Sequence, residues 1–455
     1  MGTGRSRARS SADRRRPRQP AKPPPTPGAR VVALRVLRRV TEEGAYSTIA
    51  LSAELDRSRL APRDRHLAAE LVYGTLRRTI PLDHAIERVA TRSIRRIDRP
   101  ALAVLRLGAY QLLYSRIPDH AAVSATVDLA GPRERGFVNA VLRKLSTDRP
   151  PPPTGDDDRA ISLRTGLTEW GVAELRRVLP ADEVERAASV LAAPADLSLR
   201  VNTCRITADQ LQERLVADGH EVRRGTHHPD VLLVPAAAPR ALPGYGEGWF
   251  IVQDEGSALV AAALDPRPGE RLLDACAGPG GKATDLACRV GDPGLVIGSD
   301  VRLGRATLVK RQAERLGARV HVLVQDAQRP ALEGSFDGVL VDAPCSGFGA
   351  ARRRPELLWR PVRENLAKLA RLQVAILSGA ADLVRPGGRL LYSVCTFPRA
   401  ETDAAVRAFL SKREDFEPAP VPGPGGSPTG ALSHRLWPHV DGTDGMFYSG
   451  FRRRA

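Results

Sequence analysis

The chain has 455 residues, 42% of them hydrophobic, and a formal net charge of +17. That length supplies several domains with real cores, and the basic excess favours a polyanionic partner, either nucleic acid or an anionic membrane surface. No apolar run reaches the roughly 18 residues that a membrane span needs, and no apolar N-terminal segment marks a secretory signal, so a cytoplasmic chain without membrane attachment is expected. The five cysteines, Cys204, Cys276, Cys288, Cys345 and Cys395, are odd in number and scattered, which fits reduced thiols better than a disulfide framework. With no CxxC pair and no Cys/His cluster, no metal is expected.

Residues 1–28 are rich in Pro, Arg and Ser, with Arg5, Arg7, Arg9, Arg14, Arg15, Arg16, Arg18 and Lys22 set against Asp13. This composition predicts a disordered basic tail, for which a solubilising arm and non-specific phosphate contact weigh about equally; its prolines disfavour an amphipathic transit peptide. Residues 29–146 carry helical periodicity, as in Leu102, Leu105, Ala109 and Leu112, and in Leu67, Leu71 and Thr75. With Ala68–Arg78 and the string Phe137-Val138-Asn139-Ala140-Val141-Leu142-Arg143, this all-α domain resembles the NusB-like RNA-binding domain. Phe137, Val138, Val141 and Leu142 read as a core stripe; Arg133, Arg135, Arg143 and Lys144 read more readily as a solvated face than as RNA contacts.

Pro150 to Pro153 and Asp156 to Asp158 mark a stiff, charged linker at 147–160. Residues 161–247 then offer a strand (Leu197 to Thr203), a helix (Ala208 to Asp218) and a strand (Val231 to Val234), a small α+β subdomain. From 248 to 455, apolar strands alternate with helices: Arg271–Ala275, Leu295–Ser299, Val320–Gln325, Gly338–Val341 and Arg389–Val394. This alternation predicts a parallel, doubly wound α/β Rossmann-like sheet, and Asp441–Tyr448 reads as a turn into a closing strand.

The first of these strands ends in the glycine-rich turn Asp274-Ala275-Cys276-Ala277-Gly278-Pro279-Gly280-Gly281-Lys282, where α/β sheets bind ligands. It is neither common phosphate fingerprint: a Walker A loop would need Gly at position 276 and Ser or Thr at 283, and GxGxxG would need Gly at 283. A close-approach turn without a phosphate cradle suits S-adenosylmethionine. Aspartates end the next three strands. Asp300 is positioned for the ribose hydroxyls, Asp326 for the adenine amino group, and Asp342 for the methionine end and the reacting base, although each alone could be a turn former or helix cap.

Cys345 in Asp342-Ala343-Pro344-Cys345-Ser346-Gly347 and Cys395 in Ser393-Val394-Cys395-Thr396-Phe397-Pro398 each follow a strand-like run, so each is a nucleophile candidate. Cys204 and Cys288 read as small buried hydrophobes; for Cys276 the backbone, and not the thiol, is expected at the cofactor. Together the glycine-rich turn and the two cysteine strings resemble the first, fourth and sixth motifs of the RNA cytosine-5 methyltransferases, over residues 196–452. The NusB-like domain points to the Sun/Fmu family of bacterial 16S rRNA cytosine-C5 methyltransferases.

That resemblance implies S-adenosylmethionine as cofactor, bound by Cys276, Ala277, Gly278, Pro279, Gly280, Gly281, Lys282, Asp300, Arg305, Asp326 and Asp342. It implies Cys395 as the nucleophile that adds to cytosine C6, Cys345 as the aid to product release, and Asp342 as a further catalytic group. DNA cytosine-5 methyltransferases use a fourth-motif Pro-Cys instead, so the residues alone leave the two roles interchangeable. Arg352, Arg353 and Arg354 resemble a family string suited to phosphate contact beside a flipped base, and Arg200 in the Leu-Arg-Val-Asn-Thr string is a strand-edge charge or a phosphate contact. Two positions depart from the family pattern, Gly278 for alanine and Met446 for phenylalanine, and neither touches the chemistry. The implied partner is 16S ribosomal RNA, naked or in early assembly, and the chain is expected to be a monomer. Alternatives are a tRNA cytosine-5 methyltransferase and a non-catalytic NusB-like RNA-binding factor; an amino-group methyltransferase would want Asn/Asp-Pro-Pro-aromatic where Ala343-Pro344-Cys345 stands.

Overall fold

The computed structural model describes residues 1–2, 28–235, 238–333, 335–360, 363–426 and 430–455; nearly all of the expected basic tail lies outside the described residues. Seven α-helices between Ala29 and Thr147 form an N-terminal bundle. Leu71, Leu105, Ala109, Val138 and Leu142 are wholly buried in one core, and Arg133, Arg135, Arg143 and Lys144 face solvent. Packing is close enough that a Cβ on Gly74 would sit 2.0 Å from the Tyr110 ring.

Inside the stretch expected to be a linker, Asp157 caps a helix by accepting a hydrogen bond from Ala160 N at 2.9 Å. It opens a set of three helices, Asp158–Thr165, Glu169–Arg176 and Ala181–Leu191. Ile161, Val172, Leu175, Val184 and Leu191 pack against Phe348, Leu358 and Phe397, far along the chain. These helices are short, and their apolar faces are completed by distant residues, which is why local pattern does not announce them.

The small α+β unit is an antiparallel sheet of β1 (Leu197–Val201), β2 (Arg223–Arg224), β3 (Val231–Val234) and β4 (Phe250–Val252), in the order β2-β3-β1-β4. It bears a correction. Arg200 is neither a strand-edge charge nor free for phosphate: it is buried, and bonds to Asp285 at 2.8 Å, to Gln253 Oε1 at 2.7 Å and to the Gly281 carbonyl at 3.1 Å. Cys204 and Cys288 are corrected too. They are joined by a disulfide across a separation of 84 residues, rather than being reduced and buried. Tertiary packing lays the loop after β1 against the helix Gly281–Val290, a proximity that cysteine spacing does not encode.

The large sheet holds β5 (Arg271–Asp274), β6 (Leu295–Asp300), β7 (Val320–Val324), β8 (Phe336–Asp342), β9 (Val384–Val394), β10 (Phe416–Ala419), β11 (Ser433–Leu436) and β12 (Met446–Arg453). Its order is β10-β12-β9-β8-β5-β6-β7, with β11 paired to β12. Strands β7, β6, β5, β8 and β9 run parallel, as expected of a Rossmann-like core. The closing strand β12 inserts antiparallel beside β9, and β10 and β11 follow it, giving an antiparallel edge. Alternation along the strands builds two layers: Leu273, Val339, Val341, Leu390 and Tyr392 point to one core, and Leu272, Leu340 and Leu391 to the other. The order reverses between β5 and β8, so the crevice at their carboxyl ends is the switch point where such sheets take ligands.

The N-terminal bundle docks on the segment after β8. Ser47 N and Oγ donate to the buried Glu356 carboxylate at 3.2 and 2.6 Å, Trp359 Nε1 donates to the Leu76 carbonyl at 3.0 Å, and Arg360 bonds the carbonyls of Gly44 and Ala45 at 2.9 and 2.6 Å. Among the described residues, no helix is long and apolar enough to cross a membrane.

Because Arg200 is buried with Asp285, removing one partner strands a charge. Asp285→Ala is expected to cost about 3–5 kcal/mol in chemical denaturation, and the double variant Arg200→Met with Asp285→Leu to recover most of it.

Candidate functional site

At the end of β5 the chain turns through Gly278 and Gly280 into the helix Gly281–Val290. Gly280 has φ +111°, a conformation that glycine adopts without strain. A Cβ on Gly278 would lie 2.6 Å from Asp300 Oδ2 and 2.8 Å from Arg305 Nε, so the turn rests directly on the end of β6. Asp300 is buried there, accepting from Arg305 Nε at 2.8 Å and from Arg302 N at 2.9 Å; Arg305 also bonds the Gly278 carbonyl. Asp326, just past β7, is exposed and accepts from Gln328 N at 3.0 Å.

Lys282 is in the first turn of that helix, and its ammonium is spent within the site: Nζ donates to Asp342 Oδ2 at 2.6 Å and to Ser257 Oγ at 2.9 Å. Ser393 Oγ donates to the other Asp342 oxygen at 2.8 Å. Burial works against the charge on Lys282, yet Asp342 and then Asp274 hold it above its ordinary value. Asp274 is buried and one of its oxygens, Oδ2, has no hydrogen-bond partner among the described residues. Burial, followed by the Asp342 charge, pushes its carboxyl up to about 7. Burial and the same carboxylates push the Cys276 thiol far up, which leaves that thiol protonated and unreactive.

These residues fit S-adenosylmethionine. Asp274, Asp300 and Asp342 make an acidic wall of hydrogen-bond acceptors that suits ribose hydroxyls, an amino group and a sulfonium charge. Asp274 presents a buried oxygen with no hydrogen-bond partner among the described residues, aimed at the same site end of the strands.

Strands β8 and β9 are neighbours, with Asp342 opposite Ser393. Three residues beyond the first and two beyond the second, Cys345 Sγ and Cys395 Sγ meet at 3.4 Å, both half-buried. The hydrogen bond from the Cys345 thiol holds the Cys395 thiol below its ordinary value; Lys282 and Arg354 pull the same way, against burial and Asp342. Cys345 lies well above its ordinary value through that same bond, burial, and the charges of Cys395 and Glu401. The pair is thus polarised, with the lower proton affinity at Cys395.

Two residues that sequence reasoning missed brace this pair. Glu401 accepts from Ser346 N at 2.9 Å, Ser346 Oγ at 2.5 Å and Gln373 Nε2 at 2.8 Å, while Ser346 Oγ lies 2.6 Å from Thr396 Oγ1. Gln373 also donates to the Pro344 carbonyl at 3.0 Å. One buried carboxylate therefore ties together the residues that follow each cysteine. An acid six residues past Cys395 was visible as a letter, but its inward direction was not.

The arginine string needs correction as well. Arg353 pairs with Asp254 at 2.8 Å and Asp444 at 3.1 Å, and Arg352 Nη1 donates to the Gly442 carbonyl at 2.7 Å. Both are struts that hold the strand-entry loop of β12, leaving only Arg354 exposed.

Three family models match the chain: 16S rRNA methyltransferase RsmB/F over residues 261–452, the NusB family over 27–147, and the RsmF/B-like ferredoxin-like domain over 167–239. A protein of Bacillus subtilis named probable ribosomal RNA small subunit methyltransferase B is 33% identical, over 94% of this chain and 99% of its own. The ribosomal RNA small subunit methyltransferase B of Xylella fastidiosa is 36% identical, over 92% and 96%. The crystal structure of PH0851 superposes with a TM-score of 0.80 at 27% identity, covering 93% of this chain and 98% of that one. NSun6 from Pyrococcus horikoshii with SFG, at 20% identity and a TM-score of 0.56, covers 63% of this chain and 98% of its own and shares the fold. The glycine-rich turn, the acidic wall and the near full-length relatives agree, and the chain belongs to the 16S rRNA methyltransferase RsmB/F family of S-adenosylmethionine-dependent enzymes.

Proposed function

We propose that this rRNA methyltransferase acts on C5 of an unpaired cytosine in 16S ribosomal RNA, through a covalent bond between Cys395 and C6 of the ring. The observation that carries this reading is the polarised thiol pair, Cys345 and Cys395 at 3.4 Å, beside Asp342 and Lys282. Cytosine C5 is a weak nucleophile, and thiolate addition at C6 converts the ring to an enamine whose C5 is reactive. S-adenosylmethionine, when bound, supplies the methyl group.

Each residue has a part in that sequence. Cys395 adds to C6 as thiolate. Asp342, held by Lys282 and Ser393, offers a fixed carboxylate that accepts from the exocyclic amino group of the base. After methylation the C5 proton passes to a base, the C5–C6 double bond re-forms, and the sulfur of Cys395 leaves as thiolate. The Cys345 thiol stabilises that departing thiolate by hydrogen bonding, which makes it an aid to release and not the attacking group. The matching 16S rRNA methyltransferase family model, the relatives named small subunit methyltransferase B and the basic charge of the chain support 16S RNA as the substrate.

Three outcomes are expected. Cys395→Ala abolishes transfer of labelled methyl groups to a 16S transcript, and normal turnover by that variant would overturn the proposal. Cys345→Ala accumulates a protein–RNA adduct that survives denaturing electrophoresis. Since the Cys395 thiol lies below its ordinary value, iodoacetamide should label it ahead of Cys345 near neutral pH; in Cys345→Ala, which lacks the donor, the midpoint of labelling at Cys395 should move to higher pH, as peptide mass mapping would read.

A further inference from the structure

We propose that Tyr46 of the N-terminal bundle and Arg354 of the loop after β8 form a stacking site for a second unpaired nucleobase of the substrate RNA, next to the target cytosine. It rests on the cytosine reading and extends it to the neighbouring nucleotide.

Three consecutive arginines follow the Cys345 loop, and the fold treats them differently. Arg352 and Arg353 are consumed by backbone carbonyls and by Asp254 and Asp444. Arg354 is exposed and, among the described residues, has neither an acidic partner nor a side-chain hydrogen bond; its neighbour is the ring of Tyr46, with 5.7 Å between guanidinium carbon and ring centroid. Arg360 lies 5.2 Å from the same ring, anchored through the carbonyls of Gly44 and Ala45.

The ring is thus held without being buried. Tyr46 caps the helix Ser47–Arg57, whose first residue is clamped by Glu356, yet 47% of its surface stays open. A half-exposed aromatic ring beside a guanidinium without an acidic partner is the combination that holds single-stranded bases, by stacking and by phosphate attraction.

Its place in the molecule is at the catalytic mouth. Gly349 N grips the Cys395 carbonyl at 3.0 Å, and Arg354 N bonds the Ala350 carbonyl at 3.1 Å, so Arg354 stands one turn from the residue that touches the nucleophile's backbone. Its positive charge reaches the Cys395 thiol. Arg354, with the Tyr46 ring against it, is thus near enough to Cys395 to take a nucleotide adjacent to the inserted base. This gives the N-terminal bundle a direct part in substrate recognition at the site of chemistry.

The test uses the full chain, an unmodified 16S transcript and labelled S-adenosylmethionine. Tyr46→Ala and Tyr46→Leu should each raise KM for RNA about tenfold while leaving kcat and KM for S-adenosylmethionine within about twofold, and Tyr46→Phe should behave like wild type. The leucine variant keeps bulk at the domain contact and lacks only the aromatic face. Wild-type KM in both variants, or equal damage in Tyr46→Phe, overturns the proposal. A wild-type chain that forms no 5-methylcytosine in the transcript overturns the cytosine reading beneath it; an active wild type matched by both variants overturns the stacking site alone.

Discussion

The parallel pairing of β8 with β9 is the constraint on which the site depends. Register sets Asp342 opposite Ser393, and from that pair the chain needs only three and two further residues to bring the sulfurs together. A slip of one residue would turn every alternate side chain to the other face, burying Asp342 among apolar residues and separating the thiols. Register is secured by the two-sided core, since Val341 and Tyr392 belong to one layer and Leu340 and Leu391 to the other. Hydrophobic burial in the sheet thereby determines the distance between two sulfur atoms at its edge.

Beside that pair, one lysine and one aspartate hold their opposite charges against each other. Lys282 is paid for by Asp342, and Asp342 by Lys282 and Ser393. Burial strengthens these interactions, because the surrounding medium screens them less than water would. The hydrogen bond between the two thiols separates them first, with Lys282 and Arg354 adding to the lowering at Cys395 and burial and the charges of Cys395 and Glu401 to the raising at Cys345. Identical side chains acquire different proton affinities from their surroundings, which is how one residue type can serve in two roles.

The domains are joined by the same loop that carries the chemistry. Residues 348–360 carry Gly349, bonded to the Cys395 carbonyl, near one end and Trp359 and Arg360, bonded to the N-terminal bundle, at the other. Phe348 and Leu358 also complete the core of the three helices at 158–191. This segment therefore contacts three packed units and links the bundle to the catalytic crevice.

Much of this was legible in the residues themselves. The α/β alternation, the glycine-rich turn and the two cysteine strings are local patterns, and local pattern reports strands, turns and their order because backbone sterics and side-chain period act over a few residues. The antiparallel edge, the helices at 158–191, the Cys204–Cys288 disulfide, the burial of Arg200 with Asp285 and the inward direction of Glu401 depend on residues far apart in the chain. Sequence by itself determined which chemical groups stand at the strand ends. Only tertiary structure decided which of them meet, which arginines pair with carboxylates and which of the two thiols is held below its ordinary value, because distance, desolvation and partner choice are properties of the packed chain.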